Sequence, residues 1–575
     1  IAESSAVPSA KLKQIEAVVE DGVRLSADEL SLLRFCSDYY HHPFGQVVFT
    51  ALPPALRRAR AAALRAAPVE HYRLSAAGQA LTLEQFPKRQ LGARRLLAHA
   101  QATQGVSMSE LARLGDAARR ALKQFVANAW LFAQPAAGAT GGAAAANTKH
   151  LSLTTEQART CAVIGSHIDS FVVWLVHGVT GSGKTEVYLH TIERVLRAGK
   201  QALVLLPEIN LTPKVEGHFR ARFPTANIVC LHSVVSEAER GKHFLAAQNG
   251  RADIVIGTRL SVFTPLPRLG LIVVDEEHDA SYKQNDGLRY HARDLAIYRA
   301  KQRGVPVILG SATPSLESYA NASAGRYRLQ HLAERAQPQS RLPATRLVNM
   351  RGLSGGSGLS AEVVDALRLR LQRAEQALVF INRRGYAPVL FCPGCGWMAP
   401  CTRCSARMVL HTRSGNLHCH YCGRTAPVPQ ECPDCGEQEL LPVGRGTQRI
   451  ETLLREALPE ARLLRVDRDS MARKDAWAQA LAKIDSHEVD VLVGTQMLAK
   501  GHDFQRLTLV ALLDVDQALF SPDFRAAERL FALIVQVAGR AGRASLPGEV
   551  LIQTMVPNHP LFAAALTHDY AAFAR

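Results

Sequence analysis

Apolar and polar positions alternate in two distinct ways along this 575-residue chain. From about residue 171 onwards, strand-length apolar runs are separated by stretches with apolar residues three and four apart. The first runs are FVVWLVHG, QALVLLP, ANIVCLH, ADIVIGT, LGLIVVDEE and VPVILGSAT. Continuous apolar runs joined by amphipathic helices are typical of buried parallel strands. We therefore predict an α/β lobe over residues 151–345.

A second series of apolar runs follows the segment LSGGSGLS at 353–360, which is rich in Gly and Ser. Its members are QALVFIN, RLLRVD, VDVLVGTQ, LTLVALLDVD and GEVLIQT. They predict a second α/β lobe over residues 346–575, interrupted by a cysteine-rich insertion at 391–440.

Residues 1–150 follow a helical period instead, and several of their segments fit amphipathic helices. These segments are KLKQIEAVVE, SADELSLLRFCSDYY and ALRRARAAALRAA. Residues 51–100 hold nine Lys and Arg against two Glu, a local charge of +7. Solvated helix faces or a DNA-contacting accessory domain would each explain that charge. The Gly/Ala-rich stretch at 134–150 predicts a flexible linker.

The composition indicates a folded chain, and its net charge bears on the kind of partner it binds. A length of 575 residues allows about three to five domains. The excess of 68 Lys and Arg over 51 Asp and Glu, a charge of +17, suggests nucleic acid or an acidic membrane surface. An ordinary basic enzyme is the alternative. No apolar run reaches the ~18 residues of a membrane span. The N-terminus lacks both a signal-peptide layout and an initiator Met, so we expect a fragment.

A phosphate-binding motif lies between the first apolar run and the helix that follows it. Residues 178–185, GVTGSGKT, match the pattern G-x-x-x-x-G-K-[ST]. Lys184 would contact the β- and γ-phosphates of ATP, and Thr185 would place a hydroxyl on Mg²⁺. Backbone N–H groups and the helix N-terminus would hold the phosphates. The expected phosphate-binding residues are Gly178, Thr180, Gly181, Ser182, Gly183, Lys184 and Thr185.

Acidic residues follow the apolar run LGLIVV at the end of a predicted strand. Ligands of parallel sheets collect at the carboxyl ends of strands. Asp275 would therefore hold Mg²⁺, and Glu276 would accept a proton from the attacking water. An acidic turn capping the next helix is the alternative.

The segment QVAGRAGR at 536–543 supplies two arginines after a helical stretch. Arg540 and Arg543 are three residues apart, so we expect them on one helical face. Their guanidinium groups would neutralise charge on the γ-phosphate, with Gln536 in the same motif.

The loop 279–294, DASYKQNDGLRYHARD, interleaves aromatic and cationic residues directly after the acidic motif. Aromatic faces stack on bases and cations follow phosphates, so the loop predicts contact with DNA and coupling to hydrolysis. The residues are Tyr282, Lys283, Arg289, Tyr290 and Arg293. The alternative is a solvated loop whose tyrosines pack inward.

Eight of the 11 cysteines form four C-x2-C pairs between Cys392 and Cys435. Such clustering favours metal ligation over disulfides, and eight thiolates suit two tetrahedral Zn²⁺ ions. A hairpin around RSGN would join the second and third pairs, leaving the outer pairs for the other ion. The two sets are Cys392, Cys395, Cys432 and Cys435 for the first Zn²⁺, and Cys401, Cys404, Cys419 and Cys422 for the second. Iron–sulfur ligation is the alternative.

These motifs together resemble superfamily 2 helicases. Further matches are LPEINLTP at 206–213, GTR at 257–259, GSATP at 310–314, NRRGY at 382–386 and VGTQMLAKGHDF at 493–504. Within that superfamily the chain is similar to the bacterial replication-restart (PriA, primosomal protein N′) helicases, from residue 38 to the C-terminus. The features specific to that family are GVTGSGKTEVY, DEEH with SYKQNDGLRYHARDLA, the cysteine insertion and DVDQALFSPDFRAAER.

The resemblance adds roles for further residues. Arg259, Thr495 and Lys500 would contact the DNA backbone, and Thr313 would couple the two lobes unless it belongs to a simple turn. Gln157 of LTTEQ would read adenine, or alternatively cap the helix that starts there.

The resemblance implies an α/β protein with two RecA-like lobes, ATP, Mg²⁺ and two Zn²⁺. Residues 1–50 would be the remnant of a domain binding the 3′ DNA end, and residues 51–133 a mainly helical winged-helix-type domain. The implied activity is ATP-driven 3′→5′ unwinding at stalled forks, with primosome assembly and replication restart. The implied partners are forked and single-stranded DNA, single-stranded-DNA-binding protein and other primosome proteins. The implied location is the bacterial cytoplasm, at the nucleoid and away from membranes.

Two other functions stay open at this point. A non-enzymatic assembly platform would bind forks and partners without needing ATP turnover. An RNA helicase would share most of the motifs, and the family resemblance alone favours DNA.

Overall fold

A computed structural model of the chain describes residues 23–57, 69–87, 90–103, 105–107, 110–111, 114–135, 152–207, 213–233, 235–336, 342–351, 358–381, 389–392, 394–395, 397–404, 407–411, 415–419, 422–438, 440–443, 447–467, 470–471, 476–495, 498, 504, 506–519, 521, 523–542 and 546–575. The described residues form two compact units. The smaller contains those within 23–26, 52–135 and 235–245, and the larger contains the remainder.

The first two helices, α1 (Ala27–Tyr39) and α2 (Phe44–Ala51), belong to the larger unit. Helix α1 forms where SADELSLLRFCSDYY predicts it, with Asp28 and Glu29 in its first turn. Acidic residues there interact favourably with the positive end of the helix dipole.

The described residues within 69–135 of the smaller unit form three short antiparallel strands and three helices, and residues 237–245 add most of a further helix. The strands are β1 (Val69–Leu74), β2 (Gly105–Ser107) and β3 (Leu131–Pro135), in the order β2-β1-β3. The helices are α3 (Ala76–Gln79), α4 (Leu91–Thr103) and α5 (Asp116–Ala127). The helical period of residues 1–150 did not predict these strands, because each is short and their neighbours are helical. The winged-helix assignment stays a prediction.

The first lobe is a seven-stranded parallel sheet in the order β10-β4-β9-β8-β5-β7-β6. Its strands are β4 (Val173–Gly178), β5 (Gln201–Leu205), β6 (Ile228–Leu231), β7 (Ile254–Gly257), β8 (Leu269–Asp275), β9 (Val307–Ser311) and β10 (Arg328–Leu332). The helices along this part of the chain are α6 (Thr155–Gly165), α7 (Lys184–Arg197), α8 (Pro213–Arg222), α9 (Glu237–Gln248), α10 (Ala292–Arg303) and α11 (Leu316–Ser323). The six predicted apolar runs form β4 to β9, which confirms the α/β prediction.

The second lobe is a six-stranded parallel sheet in the order β11-β21-β20-β12-β19-β18. Its strands are β11 (Ala344–Asn349), β12 (Gln376–Ile381), β18 (Leu463–Val466), β19 (Val491–Gly494), β20 (Leu507–Leu513) and β21 (Glu549–Thr554). Its helices are α12 (Ala361–Gln372), α13 (Thr447–Ala457), α14 (Ala476–Asp485), α15 (Val515–Leu519), α16 (Ala526–Ala538), α17 (Pro560–Leu566) and α18 (Tyr570–Ala574). Strands β10 and β11 escaped the sequence analysis because edge strands are partly exposed and lack a continuous apolar run.

The cysteine-rich insertion forms a separate five-stranded antiparallel sheet in the order β16-β15-β14-β13-β17. Its strands are β13 (Val389–Phe391), β14 (Val409–His411), β15 (Asn416–His418), β16 (Thr425–Pro427) and β17 (Leu441–Val443). Strands β14 and β15 pair as the predicted hairpin, which brings Cys404 and Cys419 to its open end.

Candidate active site

The phosphate-binding motif turns tightly between β4 and α7. Gly181 has a φ angle of +85° and Gly183 one of +74°, a region that favours glycine because it has no Cβ. The Nζ of Lys184 donates a hydrogen bond of 2.9 Å to the carbonyl of Gly178. The N-terminus of α7 and the ammonium of Lys184 therefore both lie at the turn after β4, at the carboxyl end of the sheet.

Gln157 connects this turn to the helix that precedes the sheet. Its Nε2 donates to the carbonyl of Ser182 at 2.8 Å, and its Oε1 accepts from the N–H of Thr154 at 2.9 Å. The side chain is buried and forms a capping box with Thr154. The helix-cap alternative is thus present in the structure, and contact with adenine stays a prediction.

Asp275 and Glu276 lie at the carboxyl end of β8. The hydroxyl of Tyr188 on α7 donates to Oδ1 of Asp275 at 3.0 Å. Burial, together with the Glu276 carboxylate, raises the pKa of Asp275 to about 6. A cation bound there would favour the carboxylate again.

The backbone of Glu276 has a φ angle of +46°, which is uncommon for a residue with a side chain. Among the described residues, its buried Oε2 has no hydrogen-bond partner, and the Nδ1 of His278 is 3.7 Å away. Strained residues with unsatisfied polar atoms persist where the surroundings hold them, often at functional sites. This carboxylate is therefore poised to accept a proton or approach a cation.

Glu277 is fully buried and organises a network that the sequence analysis missed. Its carboxylate accepts from Nη1 of Arg293 at 3.0 Å, from the N–H of Ser315 at 2.6 Å and from Oγ of Ser318 at 2.8 Å. The sequence does contain one signal for this network, because Ser315 is a favoured N-cap residue at the start of α11. The network joins the acidic motif to the GSATP segment and to α10.

The prediction that Arg293 follows DNA phosphates is therefore wrong. The residue is 8% exposed, and its guanidinium is bonded to Glu277 and Asp294. A buried arginine paired with a buried carboxylate is a structural element of the site.

The predicted stacking of Tyr282 and Tyr290 on bases is also wrong, because both rings are fully buried. Tyr290 packs edge-on against Phe263, with 5.0 Å between ring centroids. The hydroxyl of Tyr282 donates to the carbonyls of Leu205 at 2.9 Å and Asp275 at 2.7 Å. The inward-packing alternative is what the structure shows, and Tyr282 links the loop directly to the acidic motif.

The remaining cations of the loop differ in their surroundings. Arg289 is exposed, while Nζ of Lys283 donates to the Arg289 carbonyl and closes the loop. Nη1 of Arg259 donates to the carbonyls of Ser281 at 3.0 Å and Lys283 at 3.2 Å. Arg259 therefore supports the start of the loop, and its contact with DNA stays a prediction.

The second lobe reaches the acidic motif through Gln536. Its Nε2 lies 2.9 Å from Nε2 of His278, whose Nδ1 lies 2.7 Å from Oγ of Ser311. A neutral imidazole protonated at Nδ1 satisfies both contacts. A Cβ at Gly539 would lie 2.5 Å from Cγ2 of Thr180, so the turn after α16 touches the phosphate-binding loop.

Arg540 does not lie on a helix, contrary to the expectation that it shares a helical face with Arg543. Helix α16 ends at Ala538, and the buried Arg540 lies in the turn that follows. Arg543 lies outside the described residues. The contact of Arg540 with the γ-phosphate stays a prediction.

The other predicted contact residues are spread over both lobes. Thr313 is buried, its N–H donates to Oγ of Ser311 at 2.9 Å, and its Oγ1 has no hydrogen-bond partner among the described residues. Thr495 is half-buried just beyond β19. Lys500, residues 382–386 and part of LPEINLTP lie outside the described residues.

A second set of contacts joins the lobes at the start of α11. The carbonyl of Pro314 accepts from the hydroxyl of Tyr570, and the N–H of Leu316 donates to Glu528 at 3.0 Å. Arg525 forms an ion pair with Glu317. Ser315 lies on this same segment, and its N–H donates to Glu277 at 2.6 Å, so these contacts place the acidic motif one step from the second lobe.

The eight cysteines of the insertion gather into two groups of four, the same two sets that the sequence indicates. Within each group the sulfur atoms lie within 4.8 Å of one another. The shortest Sγ–Sγ distances are 3.5 Å, as between Cys392 and Cys435 and between Cys404 and Cys419. A tetrahedral zinc with Zn–S bonds of about 2.3 Å places its sulfurs about 3.8 Å apart, so both groups fit this ion.

Comparison with protein families agrees with this geometry. Models of the DEAD/DEAH box helicase and of the helicase conserved C-terminal domain match residues 154–322 and 443–545. The Cys-rich region domain of PriA DNA helicase matches residues 401–427, and the PriA 3′DNA-binding domain matches residues 1–53. Replication restart protein PriA of Haemophilus influenzae is 40% identical over 99% of this chain and 78% of its own length. The chain belongs to the PriA family.

Other PriA relatives align with a smaller part of their length. PriA of Bacillus subtilis is 44% identical over 74% of this chain, and PriA of Chlamydia pneumoniae is 42% identical over 70%. The chain spans about half of both proteins, 53% and 54% respectively. The helicase domains and the PriA relatives indicate a DNA helicase, hence an ATPase that uses nucleotide and Mg²⁺. The two four-cysteine groups of this chain suggest two zinc ions.

Among the described residues of this PriA-family chain, no helix combines the length and apolar character that crossing a bilayer requires.

Proposed function

We propose that this chain couples ATP hydrolysis to 3′→5′ movement on single-stranded DNA at stalled replication forks, and so promotes primosome assembly and replication restart. One observation carries the proposal: the acidic motif at 275–278 is bonded both to the loop 279–294 and to the second lobe. A motif with bonds on both sides can relate the state of the nucleotide to DNA contact and to lobe movement.

The phosphates of ATP would bind at the turn before α7. The backbone N–H groups of Gly181, Ser182 and Gly183, with the ammonium of Lys184, supply the positive field. The Thr185 hydroxyl and the Asp275 carboxylate would hold Mg²⁺, which neutralises charge on the phosphate oxygens. The raised pKa of Asp275 and the unsatisfied Oε2 of Glu276 fit a site that is completed by a cation.

Hydrolysis needs an acceptor for the proton of the attacking water, and Glu276 fits that role. Its Oε2 is free of the hydrogen bonds that hold the neighbouring Glu277 among the described residues. Arg540 and Arg543 would neutralise developing charge on the γ-phosphate. Gln536 would link closure of the two lobes to the acidic motif through its contact with His278.

Two bonds would transmit DNA contact to this chemistry. At the start of the loop, Tyr282 holds the backbone carbonyl of Asp275, and at its end Arg293 holds Glu277. A shift of the loop therefore moves both flanks of Glu276. The cation left exposed on this loop, Arg289, would meet the DNA backbone.

The zinc ions would be structural. Four thiolates fill each tetrahedral site and leave no open position for catalysis. Forked and single-stranded DNA, single-stranded-DNA-binding protein and other primosome proteins would be the partners, in the bacterial cytoplasm at the nucleoid.

The decisive experiment measures ATP turnover with forked DNA, single-stranded DNA and RNA of equal length in parallel. We expect both DNAs to stimulate turnover, and strand displacement from partial duplexes with a 3′ single-stranded tail. Stimulation by RNA alone would contradict the DNA assignment. Equal displacement from 5′-tailed duplexes would contradict the direction.

Replacing Tyr282 by Phe is expected to weaken the coupling between DNA contact and hydrolysis. The change removes the hydroxyl that bonds the Leu205 and Asp275 carbonyls and keeps the ring. Changes along a coupling network alter the coupling by about 0.5–2 kcal/mol, so DNA-stimulated turnover should fall about 2- to 30-fold. The measurement compares turnover at saturating and zero DNA.

Tyr290→Phe is the matched control for that variant. It removes a hydroxyl from a second buried ring of the same loop, one that packs against Phe263. We expect its stimulation to stay near that of the unchanged protein. If both variants lost DNA-stimulated turnover equally, the effect would come from general loosening of the loop and not from the bonds of the Tyr282 hydroxyl.

A further inference from the structure

Three aromatic rings stack in a column beside the loop 279–294. Tyr298 on α10 and Phe35 on α1 are 3.7 Å apart between centroids and 11° from parallel. Phe35 and Tyr39 continue the column at 5.3 Å and 20°. The column is anchored on the first lobe, because α10 packs against β8 and its residue Arg293 is bonded to Glu277.

The outer end of this column is open. The ring of Tyr39 is 65% exposed, while Phe35 and Tyr298 are half-buried. By contrast, the two tyrosines within the loop are fully buried. Of these aromatic residues, Tyr39 is thus the most accessible to a ligand in solution.

Positive charge lies one ring away from Tyr39. The ring of Tyr40 meets that of Tyr39 edge-on at 4.9 Å, and Nζ of Lys283 lies 5.6 Å from the Tyr40 ring. The Tyr40 hydroxyl also accepts the backbone N–H of His291 at 3.3 Å, which ties the segment to the end of the loop. Arg289 of the same loop is exposed.

We propose that Tyr39 is a stacking platform for an unpaired base of single-stranded DNA, with Lys283 and Arg289 beside the phosphates. This inference rests on the proposed DNA-dependent activity and names a base-contacting residue for it. Nearly parallel rings ending in an exposed ring offer the arrangement that an unpaired base extends, and adjacent cations suit its backbone.

The platform also gives DNA contact a direct path to the ATP site. Tyr298 lies on α10, and the same helix carries Arg293, which holds Glu277. A base stacked on Tyr39 would therefore stabilise both the column and the helix that supports the acidic motif.

The test measures binding of a short single strand carrying a fluorescent adenine analogue, whose emission falls when it stacks. For Tyr39→Ala we expect affinity to fall about 5- to 150-fold, the range that corresponds to stacking of ~1–3 kcal/mol per base. The quenching seen with the unchanged protein at one strand position should disappear. Tyr39→Trp and Tyr39→Phe should retain it, because they keep a flat ring.

The control is Phe49→Ala, which removes a 56% exposed aromatic ring from the neighbouring helix α2. We expect this variant to bind like the unchanged protein. Equal affinity and quenching in Tyr39→Ala would overturn the platform, and so would the same loss in Phe49→Ala. If the unchanged protein showed no DNA-stimulated ATP turnover, the proposed function would fail instead.

Discussion

Replacing Glu276 by Gln is expected to lower ATP turnover by about 10²–10⁴-fold, the contribution that a positioned general base makes. The amide keeps the size of the side chain and cannot accept the proton of the attacking water. Since the phosphate-binding turn and Lys184 are untouched, nucleotide affinity should stay unchanged. Single-turnover hydrolysis and equilibrium binding of a fluorescent ATP analogue measure the two properties separately.

Glu277→Gln makes the same isosteric change one residue along the chain and serves as the matched control. Glu277 is buried and faces the buried guanidinium of Arg293. Removing one charge of a buried pair destabilises a protein by about 3–5 kcal/mol. We expect this variant to unfold at lower temperature, whereas Glu276→Gln should unfold like the unchanged protein. Normal turnover in Glu276→Gln would contradict its role as the base.

The sequence predicts well those parts of the molecule that depend on local order. Parallel strands buried on both faces need continuous apolar runs, so β4 to β9 and five strands of the second lobe could be located. The phosphate-binding motif could be placed because its glycines, lysine and threonine are adjacent along the chain. The hairpin of β14 and β15 could be inferred from a short segment, and with it the grouping of Cys404 with Cys419.

What the sequence could not predict is which polar and aromatic side chains point inward. The buried hydroxyl of Tyr282 bonds carbonyls at the ends of β5 and β8, and Leu205 of β5 lies 77 residues away along the chain. Arg293 is buried because Glu277 and Ser315 surround it. A pattern of aromatic and cationic residues looks the same whether it faces DNA or a buried carboxylate. The choice depends on tertiary partners.

For the N-terminal segment, the sequence predicts the helix but not the residues that the helix contacts. SADELSLLRFCSDYY predicts an amphipathic helix, and α1 forms there. Its periodicity does not reveal that Phe35 stacks on Tyr298, over 250 residues away along the chain. Residues 27–51 lie in the region that the DNA-binding domain model matches, yet they belong to the same compact unit as the helicase lobes.

Replacing Cys401 and Cys404 by Ser is expected to lower the zinc content from two equivalents to one. Serine cannot supply a thiolate, and a site with two remaining cysteines loses most of its affinity. Structural zinc contributes about 10–16 kcal/mol to the folding of small zinc domains, so the insertion should become sensitive to protease. Elemental analysis of the purified protein measures the stoichiometry, and Cys161→Ala, a buried thiol outside both groups, should retain two equivalents.

Four C-x2-C pairs can be grouped two by two around two ions in three ways. The double substitution cannot distinguish these groupings, because each of them loses one ion when one C-x2-C pair is removed. Replacing all four of Cys401, Cys404, Cys419 and Cys422 does distinguish them. If these four share one ion, as their sulfur distances indicate, the other group stays intact and one equivalent of zinc remains. If they belonged to two sites, each site would lose half its ligands and no zinc would remain. Retention of one equivalent therefore decides between the observed grouping and both alternatives.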